Sequence, residues 1–288
     1  MSRPRKSPER EVERYLRTGE CDHFYSAWPG EDLFTRAKHG HAALRGALIS
    51  TVRSRTAHAT LPRQFAGLDV VALTRKKVEP MVRGLFSRAE QDVVLDVLGR
   101  SVVFLSPATI DTVLSETSWP GTAWDLANLY LASYGAQLLS EDAPRIVGLS
   151  LETTCYVSLD YFRTKERLAD FVLHEAAHIF HNCKRKTIGL REIRGREWLL
   201  EIDFGSRETF AYACEAYGRI LELAENRAAR RVFVAEIENG PMPTDDRVDA
   251  GEYVDILREA VANRNGWKRI LARCAPRRKA SRNRTATA

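Results

Sequence analysis

Residues 171–182 read F-V-L-H-E-A-A-H-I-F-H-N, which sets His174 and His178 four positions apart with Glu175 directly after the first. This H-E-x-x-H spacing suits a helix, because positions i and i+4 lie one turn apart on one face and two imidazoles there can share one tetrahedral zinc ion. Zinc brings the pKa of water toward neutrality and polarises a carbonyl, and a carboxylate alongside can take the proton as the water attacks. The pattern therefore predicts His174 and His178 as metal ligands and Glu175 as catalytic base. Ala176 and Ala177 keep the helix slim beside the metal. A purely structural zinc site needs four protein ligands and has no use for that carboxylate.

A third ligand must come from elsewhere. His181 lies seven residues beyond His174, roughly 10 Å along a straight helix, too far to share one zinc ion, so a hydrogen-bonding or substrate-facing role is expected for it. The stretch Ser206 to Gly218 carries Glu208 and Glu215 on one face, two turns apart. Glu208 is preferred, since Ala211 beside it permits close approach to the motif helix while Phe210, Ala213, Cys214, Tyr217 and Leu221 can anchor the opposite side. Glu215 is an alternative third ligand, and is otherwise open to a supporting contact with a ligand histidine or to plain solvation. Glu197 is a further candidate ligand, in a run of charged residues that reads as an exposed turn. Tyr212 shares the face of Glu208 and is the nominee for stabilising an oxyanion.

The surrounding elements must position these groups. Leu168, Val172, Ala176 and Ile179 form an apolar stripe, and the histidines fall on another side of the wheel. Upstream, Glu9 to Arg55 reads as helix broken at Trp28-Pro29-Gly30, and Leu61-Pro62 breaks the pattern again. Ser87 to Leu98 and Ala123 to Leu139 read as helices; Val102 to Leu105, Ile146 to Leu151 and Thr154 to Leu159 read as strands. After Arg163 the pattern is almost wholly helical, with stops near Gly205, Gly240-Pro241 and Asn263 to Gly266. Strands followed by helices predict a mostly helical α+β fold. The expected organisation is a basic helical region over 1–60, a catalytic domain over 61–275 and a basic tail over 276–288 too polar to order itself.

Several functional classes lose support. There is no G-x-G-x-x-G after a strand, no G-x-x-x-x-G-K and no G-x-S-x-G, so nucleotide binding and serine-hydrolase chemistry lack their usual motifs. No apolar stretch is long enough for a membrane span, and the first residues lack the apolar core of a secretory signal. The five cysteines are scattered without a C-x-x-C pair, which fits a reducing cytoplasm better than a disulfide framework. The formal charge of +6 is concentrated near the two ends and offers only weak polyanion binding.

With its H-E-x-x-H helix and later helical glutamate, the chain resembles the zincin metallopeptidases, specifically the gluzincin branch, over about residues 146–225. The resemblance implies a zincin-like domain with a small sheet, a Zn2+ cofactor, a protein or peptide substrate, and an edge strand that pairs with extended substrate; 153–158 is the segment expected to supply it. Among intracellular gluzincins it is loosely similar to the compact ImmA/IrrE-type regulatory peptidases, matching them at His181 and Ala211 and departing at Tyr212 and Cys214-Glu215. The competing expectation is a non-catalytic, zinc-stabilised regulatory or nucleic-acid-associated protein, whose binding would be salt-sensitive and indifferent to loss of the Glu175 carboxylate.

Overall fold

The computed structural model describes residues 7–193 and 195–276; the basic segment at 2–6 and all of the expected tail beyond Pro276 lie outside them. The described chain is α+β and mostly helical, with one three-stranded sheet. No helix among the described residues is long and apolar enough to cross a membrane. The chain divides into two compact units, one of residues up to 70, 102–149 and 155–165, the other of 71–101, 150–154 and from 166 onward.

In the first unit, helix α1 (Pro8–Thr18) starts behind the N-cap Ser7 and stops at Gly19, whose φ of 73° lets its N–H close on the Tyr15 carbonyl. Helix α2 (Leu33–Arg55) buries Leu44, Leu48 and Val52, one residue per turn on a single stripe. Strand β1 (Val102–Phe104) leads to α5 (Ile110–Glu116) and α6 (Pro120–Ser133). Helix α6 is apolar nearly all round and accordingly buried on most sides, with Leu126, Ala127, Tyr130 and Leu131 in one cluster with Tyr15, Leu44 and Leu114. Its buried polar groups are matched: Asn128 donates to the Trp124 carbonyl and accepts from Leu139 N–H at 2.8 Å. That second bond folds 136–139 back, so α6 ends at Ser133 where the apolar pattern predicts helix to Leu139; Gly135, at φ 63°, makes the turn.

Strands β2 (Gly148–Leu151) and β3 (Thr154–Val157) complete the sheet in the order β1-β3-β2. β1 pairs parallel with β3, Val102 opposite Cys155 and Phe104 opposite Val157. The segment 153–158 therefore does not supply the edge: β3 is the central strand, because β1 occupies its other side, and β2 lies at the margin.

The second unit holds α3 (Val70–Leu85), α4 (Arg88–Gly99), α7 (Phe171–Asn182), α8 (Arg207–Leu223), α9 (Arg227–Glu238), α10 (Ala250–Ala262) and α11 (Gly266–Cys274). The segment 183–206 corrects the expectation of nearly continuous helix after Arg163. Its described residues form short 3-10 turns at Arg185–Ile188 and Phe204–Ser206 and isolated β-bridges in place of an α-helix, and Gly189 and Gly195 turn the chain at left-handed φ of 76° and 77°. α7 packs along α8, and α8 in turn against α10 and α11. Gly218 permits the first contact, because a Cβ there would stand 2.4 Å from Leu173 Cδ1. Phe180 lies between Phe86 and Phe210 in the core, at ring separations of 5.3 and 6.4 Å.

The start of α7 is fixed by Asp170. One carboxylate oxygen accepts Leu173 N–H at 3.2 Å, the other meets Lys77 Nζ of α3 at 2.8 Å, and Lys77 also reaches Glu222 of α8. Burial pushes the Asp170 carboxyl above its usual range, against the pull of Lys77. A carboxyl whose folded pKa is raised contributes stability at pH below its unfolded value and loses it as pH rises through the folded value. Removing the ammonium raises the folded pKa further, so Lys77→Met should cost about 3–5 kcal/mol at neutral pH and measurably less near about pH 4, where Asp170 can hold a proton. Denaturant titrations of both proteins at the two pH values check this; equal losses at both would show that Asp170 is not the group left exposed to the deficit.

Candidate metal centre

α7 and α8 bring three donor atoms together. His174 Nε2 and His178 Nε2 are 3.2 Å apart, and Glu208 Oε2 stands 3.7 and 3.4 Å from them. Donors bound tetrahedrally at zinc's usual bond lengths are separated by about 3.3 Å, so the trio has the size of a metal face. All three side chains are largely buried, none more than 14% exposed. Two imidazole nitrogens this close must share either a proton or a cation. Burial would lower the pKa of His174, but hydrogen bonds to Glu208 and Glu215 outweigh it and push the value up to about 10. Glu208, which burial would raise, is instead held well below the carboxylate range by His174 and His178. The pocket attracts positive charge, as a cation site must.

Each of these groups has a partner behind it. His174 Nδ1 faces Glu215 Oε2 at 3.1 Å, and the other Glu215 oxygen accepts Asp170 N–H at 2.6 Å. With Nδ1–H donated to a carboxylate, Nε2 is the nitrogen turned toward the other two donors, and it would offer its lone pair to a cation that displaces its proton, the arrangement that orients a metal-bound imidazole. His178 Nδ1 lies 3.3 Å from His181 Nε2. Burial first, then the charge of His178, lowers the His181 pKa to about 3, so His181 is neutral and can accept. Glu208 Oε1 forms an ion pair with Arg247 Nη1 at 2.9 Å, and Arg247 also clasps Asp245 through two hydrogen bonds. Glu175 Oε2 accepts from the Ser150 hydroxyl of β2 at 2.6 Å. Tyr212 sets its ring edge-on to His174 at 4.5 Å, and burial pushes its phenol up to about 12, so it keeps its proton.

The sequence-predicted residues thus separate clearly. His174, His178 and Glu208 converge as the one group of three or more His, Cys, Asp or Glu among the described residues whose donor atoms could hold a metal. Glu215 sits behind His174, and Glu197 pairs with Lys184 at 2.6 Å on the surface, its side chain 57% exposed. His181 makes the expected hydrogen bond. Ser150, Asp170, Lys77, Asp245 and Arg247 were not among the expected site residues. Only Asp170 carried a signal, as an N-cap residue four before His174; the others reach the site by tertiary packing. Neither a family model, nor a curated protein, nor a solved structure matches the chain.

Replacing Glu215 by Gln preserves its shape but presents an amide N–H to one of its two donors. The expected result is a roughly 10–100-fold weaker zinc affinity in competition with a chromophoric chelator, with the helical circular dichroism unchanged. An affinity equal to wild type would exclude Glu215 as the group that orients His174.

Proposed function

We propose that the chain is a zinc-dependent endopeptidase of the zincin-like, gluzincin type, with His174, His178 and Glu208 as metal ligands and Glu175 as base. The observation that carries this reading is the convergence of two imidazole nitrogens of α7 and one carboxylate oxygen of α8 within 3.2–3.7 Å, with the buried Glu175 directly after the first histidine. Zinc fits the donor set in number, chemistry and spacing. A ligand set of three, rather than four, suits a catalytic site more than a structural one.

When bound, zinc supplies Lewis acidity that makes water acidic and a peptide carbonyl electrophilic. Glu175 removes a proton from the attacking water at its carboxylate and passes it to the departing amine. The Ser150 hydrogen bond fixes which oxygen of Glu175 is engaged and leaves the other for that proton. Tyr212, protonated and packed on His174, is the donor nearest in role to an oxyanion stabiliser. A substrate protein or peptide in extended form would add to the sheet along β2, where Ser150 contacts the base. We further propose a reducing, cytoplasmic setting, in keeping with five cysteines that form no disulfide. Contacts with polyanions are assigned to the basic ends outside the described residues.

Metal analysis and proteolysis test the proposal together. Wild type should carry about one zinc ion per chain, His178→Ala and Glu208→Ala should lose it, and Glu175→Gln should keep it while cleavage of a cytoplasmic protein mixture falls by at least about 100-fold. Wild type that stays metal-free after zinc is offered, or a Glu175→Gln variant that cleaves normally, would reject it.

A further inference from the structure

The arginine beside Glu208 is unexpected, because a guanidinium next to a cation site ought to be repelled by the ion. Arg247 lies on the connection between α9 and α10 and places Nη1 2.9 Å from Glu208 Oε1. It is neutralised from its other side: Nε and Nη2 grip Asp245 Oδ1 and Oδ2 at 2.9 and 2.5 Å. One guanidinium therefore spans two carboxylates, and Glu208, Arg247 and Asp245 together retain a net negative charge beside the histidines. The two oxygens of Glu208 are divided between different tasks, with Oε2 facing the imidazoles and Oε1 held by Arg247. The planar fork of arginine lets one side chain reach both carboxylates, while the Glu208 contact itself uses a single nitrogen, Nη1.

We propose that Arg247 is a positioning residue that restricts Glu208 to one-oxygen ligation, with Asp245 as the counter-charge that lets it sit there. The inference rests on the zinc reading above. A carboxylate can ligate through one oxygen or two, and the second oxygen would occupy the coordination position that a catalytic zinc site keeps open. Arg247 prevents this by engaging Oε1. On this account the arginine acts on the number of ligand atoms and leaves the identity of the ligands unchanged.

Cobalt(II) reads ligand number directly, since a four-coordinate ion absorbs strongly in the visible and a five-coordinate ion much less. The full-length chain is loaded with cobalt as wild type, Arg247→Ala and Arg247→Lys, with bound metal counted and folding checked by circular dichroism. The expected result is equal cobalt in all three, strong visible bands in wild type, loss of most of that intensity in Arg247→Ala, and its recovery in Arg247→Lys, which keeps a donor for Oε1. X-ray absorption of the zinc forms should show one additional oxygen neighbour in the alanine variant. Wild-type bands in Arg247→Ala, failure of that variant to bind cobalt, or equal loss in the lysine variant would each overturn the proposal while leaving the metal centre standing. A wild type that takes up no cobalt or zinc would remove the metal reading itself and this inference with it.

Discussion

The close approach of α7 and α8 is the constraint on which the rest of the site depends. Two histidines one turn apart can meet a glutamate from another helix only if no bulky side chain separates the backbones. Gly218 of α8 provides this, since it leaves no room even for a methyl group beside Leu173 of α7, and the buried Ala176, Ala177 and Ala211 add little bulk to the two helices. The large side chains are placed at the flanks, where Phe180, Phe210 and Tyr217 fill the core. Small residues at the contact and large ones around it hold the pair at one separation, because a packed interior resists both a gap and an overlap.

A second requirement is electrical. Glu175, Glu208 and Glu215 are all close to His174, and burial alone would penalise their charges. Each carboxylate is instead given a partner: the Ser150 hydroxyl for Glu175, the Arg247 guanidinium as an ion pair for Glu208, and Asp170 N–H with His174 for Glu215. Asp170 is itself tied to Lys77 and to the first turn of α7. Helix initiation and imidazole orientation are thus joined by hydrogen bonds through Asp170, Glu215 and His174, and Arg247 supplies charge compensation beside them.

Most of this centre was legible in local sequence. His174, Glu175 and His178 follow from helical spacing alone, and Glu208 from the small residue beside it on an amphipathic helix. Glu197 and Glu215 remained open because a carboxylate's role depends on which way its helix turns and what lies behind it, and spacing does not specify either. The partners Ser150, Lys77 and Arg247 come from a strand, an upstream helix and a connecting loop, and nothing periodic links them to the motif. The fold divides along the same line. Helices with clear caps appear where expected, whereas α6 ends early because a side-chain amide captures a backbone N–H far along the chain, and β3 is central because a parallel partner comes from an earlier segment.

The described residues of the segment 183–206 form no α-helix, yet its ends are tied down. Leu199 N–H bonds to the Cys183 carbonyl, Leu200 N–H to Phe180, and Arg185 N–H to Glu197. The chain leaves α7 and returns to the same place before α8 begins, so it behaves as a closed excursion on a fixed base. Lengthening such an excursion costs little, about 0.6 kcal/mol for each doubling, and disturbs neither helix. The number of residues between His178 and Glu208 is therefore nearly independent of the geometry that unites them, and chains with quite different intervals could build the same three-donor face.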